Sequence, residues 1–153
     1  ATIPIKMHKN SWQVVHQIQR PGEGGWNLCI KGHPNSPYIF ADRPVPRDRK
    51  IQTTFYVIDK NKLEVVKTIQ IPEKYLPSVK VGDKTIESRG PVHFEFNADG
   101  SEVWTSIWGN KEVATAILVY DAKTLELKKA IEDPRLKTPT GTFNVTNTMN
   151  DVY

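Results

Sequence analysis

The chain has 153 residues, 38% of them hydrophobic and 25% charged, with a formal net charge of +4. No run of roughly 18 apolar residues occurs, which excludes a helical membrane span, and the length predicts one ordinary core. A single cysteine, Cys29, excludes an internal disulfide, a Cys-rich zinc site and a C-x-x-C-H haem attachment.

The N-terminal residues ATIPIKMHKNSW lack the uninterrupted apolar core of a secretory signal, as a processed or truncated product would. Residues 12–18 (WQVVHQI) predict a strand with Trp12, Val14, His16 and Ile18 on one face, and make His16 a hydrogen-bonded core histidine. Pro21, Gly22, Gly24 and Gly25 form a loop. No helix pattern follows on which a phosphate could sit, so the loop is not a phosphate-binding fingerprint. Strands over 26–31 (WNLCIK) and 38–41 (YIFA) bracket the turn GHPNSP, where His33 precedes Pro34 and is assigned to structure. Cys29, at mid-strand, reads as inert packing.

The densest basic patch, 43–50 (RPVPRDRK), is broken by two prolines and an aspartate. It reads as a solvated loop and not as a nucleic-acid site, because no aromatic platform or recognition helix accompanies it. Strands over 53–59 (TTFYVID) and 63–71 (LEVVKTIQI) follow. Residues 72–90 show no clean period and read as a connecting excursion. In 89–108 (RGPVHFEFNADGSEVWTSIW), alternation puts Val92, Phe94 and Phe96 on one face and His93, Glu95 and Asn97 on the other. Asn97, Asp99 and Gly100 supply turn chemistry. On the next strand Val103, Thr105 and Ile107 share one side, and Trp104, Ser106 and Trp108 the other. Strands over 115–121 (TAILVYD) and 125–132 (LELKKAIE) complete a second series of four.

The two series are repeats. FYVIDKNKLEVVKTI, 55–69, matches ILVYDAKTLELKKAI, 117–131, at a constant offset of 62, which pairs Asp59 with Asp121, Leu63 with Leu125, Glu64 with Glu126 and Lys67 with Lys129. HPNSPYIF from His33 falls on NADGSEVW from Asn97 at an offset of 64. Self-similar units of four antiparallel strands are the mark of propeller blades, which bury their faces against neighbouring blades. The fold class is therefore all-β, about two to three blades of a propeller. A propeller needs about four to eight blades to close. The chain is accordingly expected either to assemble with others or, by preference, to be a piece of a longer polypeptide, its partner then being the remainder of that propeller.

The segments HPNSPYIFAD and EFNADGSEVWTSIWG, with the tail DPRLKTPTGTFNVTNTMNDVY over 133–153 and its short strand candidate over 142–146, together resemble the C-terminal part of the haem d1 domain of cytochrome cd1 nitrite reductases. The resemblance runs from about Trp26 and is weaker over 43–88. It implies an eight-bladed propeller with haem d1 on its axis, in a periplasmic homodimer that reduces nitrite to nitric oxide. It also implies a c-type haem in a separate N-terminal domain and small electron donors such as c-type cytochromes. Residues 1–153 would be the C-terminal portion of that domain: a first blade unit with its preceding strand over 12–71, a second over 89–132, and a closing tail over 133–153. The family's proximal histidine and its pair of active-site histidines lie upstream of the matched stretch, so the chain by itself is expected to be inactive.

Carried over residue by residue, the resemblance places Thr140 and Gly141 where the tail lies against the haem, and Trp108 where a tryptophan packs near the macrocycle. The plainer readings are a turn pair and a core aromatic. At position 93 the resemblance implies glutamine in nitrite reductases. His93 is instead similar to the related dehydrogenase that completes haem d1 biosynthesis, where a histidine approaches the iron. An imidazole can bind iron or move a proton, and Glu95, two residues on, is placed to hold its other ring nitrogen. The plainer reading of His93 is a polar residue lining the propeller channel. Three functions are thus carried forward: part of a nitrite reductase, a dihydro-haem d1 dehydrogenase, and a cofactor-free propeller interaction module.

Overall fold

The computed structural model describes residues 9–22 and 24–137. Within them the chain is all-β, with two four-stranded antiparallel sheets and a two-stranded hairpin, an arrangement of partial propeller blades. The first sheet holds β1 (Ile30–Gly32), β2 (Tyr38–Ala41), β3 (Thr54–Asp59) and β4 (Glu64–Gln70) in chain order. The hairpin is β5 (Ser78–Val81) with β6 (Lys84–Glu87), and the second sheet holds β7 (Pro91–Phe96), β8 (Glu102–Ile107), β9 (Ala116–Asp121) and β10 (Leu127–Glu132). Between β2 and β3 lies a one-turn helix, α1 (Arg49–Gln52), whose first N–H groups are taken up by the Asp48 carboxylate. Among the described residues no helix is long and apolar enough to cross a membrane.

The internal repeat is physical. Asp59 Oδ1 accepts from the N–H groups of Asn61 at 2.8 Å and Lys62 at 2.9 Å, and Asp121 Oδ1 accepts from those of Lys123 at 2.9 Å and Thr124 at 2.7 Å. Each aspartate thus closes a hairpin by bonding its own backbone two and three residues on. Both hairpins then shift register at the same place, once Glu64 has paired with Asp59 and Val65 with Ile58 in one, and between Leu127 and Lys129 in the other. The offset-64 turns agree too: Ser36 N–H donates to His33 O at 3.0 Å, and Gly100 N–H to Asn97 O at 3.0 Å.

The core lies between the two sheets. Phe40 and Phe55 of the first meet Phe94, Phe96 and Tyr120 of the second, with ring centroids 5.3–5.9 Å apart in tilted and edge arrangements. Each such fully buried ring contributes about 1.5–3 kcal/mol, so these rings are a principal attraction between the sheets. The other face of the first sheet is also covered. Tyr56 O–H donates to Pro21 O at 3.0 Å, and the Arg20 guanidinium sits 5.6 Å from the Tyr56 ring. Arg43 donates to the carbonyls of Pro21, Gly22 and Gly24.

Four expectations change. Residues 14–20 are irregular where the alternation predicts a strand, with Trp12, Val14 and Val15 exposed. An alternating pattern becomes a strand only where a neighbouring strand offers a ladder, and here the segment's end instead packs on Tyr56 through Arg20. His16 keeps a hydrogen bond, Nε2 to Leu63 O at 3.0 Å, but is exposed and not a core residue. The basic stretch 43–50 is only partly solvated, because Pro44, Pro46 and Arg43 are buried and α1 begins within it. The excursion over 72–90 contains the β5–β6 hairpin, turned by Gly82 at φ 59° and Asp83. Gly-Asp between two short β-rich runs is a two-residue hairpin signal.

Candidate functional site

The site is built on a break in the β7 ladder. Pro91 pairs with Ile107 and Val92 with Ser106, but the next pair is Phe94 with Thr105. His93 is therefore an extra residue on one strand, a β-bulge, and its φ of 60° is left-handed. The bulge changes the faces. Phe94 and Phe96 stay with Thr105 and Val103 toward the core, while Val92, opposite Ser106, falls on the side of Glu95, opposite Trp104. Simple alternation, which puts Val92 with the two phenylalanines, fails at that point.

The first sheet holds the bulge. His93 N–H donates to Asp42 Oδ2 at 3.2 Å, and the other oxygen of that carboxylate accepts from the N–H groups of Leu28 at 2.7 Å and Cys29 at 2.9 Å. Asp42 is wholly buried, and burial raises its pKa above the usual carboxylate value against the pull of those three N–H groups. Beside it, Cys29 Sγ accepts from Phe94 N–H at 3.4 Å, and burial pushes its thiol up to about 11. That leaves little thiolate at neutral pH and makes Cys29 a packing residue, as expected.

The His93 imidazole is held separately. Its Nε2 lies 2.9 Å from Glu95 Oε1, and Glu95 Oε2 lies 3.5 Å from the Lys31 ammonium on β1. Glu95 is 1% exposed, the histidine side chain 14% and the lysine 12%. A neutral ring donating through Nε2 carries its lone pair on Nδ1, the atom that can then bind a metal or take a proton. The predicted contact of Glu95 with the ring is thus observed. Lys31 and Asp42 were not predicted. The signal that could have found Lys31 is the repeat itself: Lys31 and Glu95 stand 64 residues apart, at equivalent positions with opposite charge.

Trp108 follows β8, half-buried, at the same end of the β7–β8 ladder as His93. Its N–H donates to Gly90 O at 3.1 Å, and Arg89 N–H donates to its carbonyl at 2.7 Å. The Arg89 guanidinium lies 4.7 Å from the indole ring. The cation lies over the indole face, a cation–π contact that orients the ring. The imidazole and the indole are thus carried by one strand pair, β7–β8 and the residue that follows it. Thr140, Gly141 and the closing strand expected over 142–146 lie outside the described residues.

Comparison with known proteins follows the same line. The family described as "Cytochrome D1 heme domain" matches residues 2–148. A protein named "Nitrite reductase" from Stutzerimonas stutzeri is 43% identical over 155 residues, covering 97% of this chain and 25% of that protein. The chain therefore spans about a quarter of the length of that relative. Among solved structures, "Dihydro-heme d1 dehydrogenase NirN in complex with DHE" superposes with a TM-score of 0.57 at 24% identity, covering 79% of this chain and 21% of that one. That likeness shows the fold.

Proposed function

The chain belongs to the cytochrome D1 heme domain family, and on that premise we propose that it forms two blades and the closing tail of a haem d1 propeller in a periplasmic nitrite reductase. The observation that carries this reading is the 43% identity to a nitrite reductase along nearly the whole chain. The two sheets are the blade units over 12–71 and 89–132, with 133–153 as the tail, and the remaining blades belong to the rest of the parent polypeptide. The parent is a homodimer that takes electrons from small donors such as c-type cytochromes, through a c-type haem in a separate domain.

Haem d1, when bound, supplies the iron at which nitrite is reduced to nitric oxide. This chain supplies one side of its pocket. Trp108 provides an apolar wall beside the macrocycle and keeps water off it. His93, held through Nε2 by Glu95, presents Nδ1 as a base that can carry a proton toward a departing oxygen. Thr140 and Gly141, which lie outside the described residues, would be the tail's contribution to that pocket.

A second reading is favoured by one observation, the imidazole at position 93 on its bulge. It suits the dihydro-haem d1 dehydrogenase that this chain's fold is like, in which the chain would take the cofactor precursor as substrate. Loading the parent protein with haem d1 and recording its absorption and electron paramagnetic resonance tests both. Haem d1 bands that persist in His93→Gln with altered iron spin state support a histidine at the iron, and nitrite turnover then separates reductase from dehydrogenase. Absence of haem d1 bands in the unaltered protein would leave a cofactor-free interaction module.

A further inference from the structure

The left-handed backbone of His93 is a conformation that costs a residue other than glycine about 1–2 kcal/mol, and it persists where the surroundings over-determine it. Here they do so from across the seam between the sheets. Asp42, just after β2, holds the His93 N–H at 3.2 Å, and Lys31 on β1 holds the carboxylate that holds the ring. Glu95 divides its two oxygens between the imidazole and the ammonium while almost wholly buried. In such surroundings a carboxylate bonded to charged or polar partners on both oxygens has little freedom to turn away.

We propose that Lys31 is a positioning residue for His93, acting through Glu95, so that the seating of one sheet on the other sets the direction in which the imidazole points. Lys31 pairs with Glu95, and Glu95 bonds the ring through Nε2, so the role assigned to the lysine is orientation. The functional meaning of this arrangement rests on His93 facing the haem, but the arrangement itself stands without that. Replacing Lys31 frees Glu95 to reorient, and the Nε2–H bond then opens more often.

The test is nitrogen-15 NMR of the histidine rings in the parent protein without haem, at about pH 8.5, where ordinary imidazoles are neutral. In the unaltered protein the Nε2–H of His93 should be seen as a protected proton. In Lys31→Met its exchange with water should be about tenfold faster or more, the loss of one buried ion pair's support. Lys31→Arg should restore protection, and Lys80→Met, on the exposed hairpin, should leave it unchanged. Unchanged exchange in Lys31→Met, or no rescue by arginine, overturns the proposal. So does loss of the fold in both Lys31→Met and Lys31→Gln, since the lysine would then hold the seam as a whole. A parent protein that shows the NMR behaviour but takes up no haem d1 rejects the functional reading and leaves this one intact.

Discussion

Leu63 and Leu125 share the same left-handed backbone, φ 56° and φ 64°, at equivalent positions of the two repeats. Each N–H donates to the carbonyl of the aspartate that opens its turn, at 2.9 Å to Asp59 and 3.0 Å to Asp121. The turn chemistry, not the leucine, demands the conformation. The two side chains differ in surroundings, Leu63 being 38% exposed and Leu125 9%.

Asparagine tolerates the left-handed region better than leucine does. Leu63→Asn is therefore expected to be neutral or to stabilise by up to about 1 kcal/mol. Leu125→Asn should destabilise by about 2–3 kcal/mol, because it removes a core side chain and buries an amide. Urea midpoints of the two variants check the contrast, and equal effects would show that backbone strain and burial have been misassigned.

At Gly90 the main chain leading into β7 passes hard against the end of α1. A Cβ there would lie 1.6 Å from Gln52 O and 2.9 Å from Thr53 Cα, whereas one on Gly82 would meet nothing within 4 Å. Gly90→Ala must push the end of α1 away from β7, and Arg49, which donates to the Ser88 carbonyl, with it. The expected loss is about 3 kcal/mol, against about 1 kcal/mol for Gly82→Ala, whose only penalty is its left-handed φ. Thermal midpoints measured side by side decide it.

The turn aspartates predict an acid limb. Main-chain N–H groups, Lys62 then Asn61 for Asp59 and Thr124 then Lys123 for Asp121, hold both carboxyls below the usual value of 3.8. A carboxyl whose folded value is depressed contributes stability above the unfolded value and loses it as pH falls through the folded one. The double variant Asp59→Asn, Asp121→Asn should thus show a shallower loss of stability below 3.8 than the parent sequence. Denaturation midpoints followed from about pH 7 to about pH 2 measure this, and an unchanged slope would sink the assignment. Some slope should remain, since Asp99 and Asp133 are also held low, first by side-chain bonds from Ser101 and Arg135 and then by main-chain N–H groups.

Much of the fold was legible because it is written in local chemistry. Asp59 and Asp121 announce their hairpins, and the alternation of 102–107 and 116–121 is that of the strands found there. Where local pattern misled, a distant partner decided. The stretch 12–18 alternates like a strand but has no ladder beside it among the described residues, and the β5–β6 hairpin was hidden by charged side chains around a legible Gly-Asp turn.

The amino-acid sequence by itself determined that there are two units, where each turns, and which family they belong to, since turn chemistry and repetition need only neighbours in the chain. Only the tertiary structure decided what His93 does with its backbone and ring. Its left-handed bulge is held by Asp42, 51 residues away, and its imidazole by a buried Glu95 anchored on Lys31 of the other sheet. Those contacts exist because the aromatic core presses β1 against β7, bringing equivalent positions of the repeat face to face. No local rule of the chain contains that contact, because its cause is the packing of one sheet on the next.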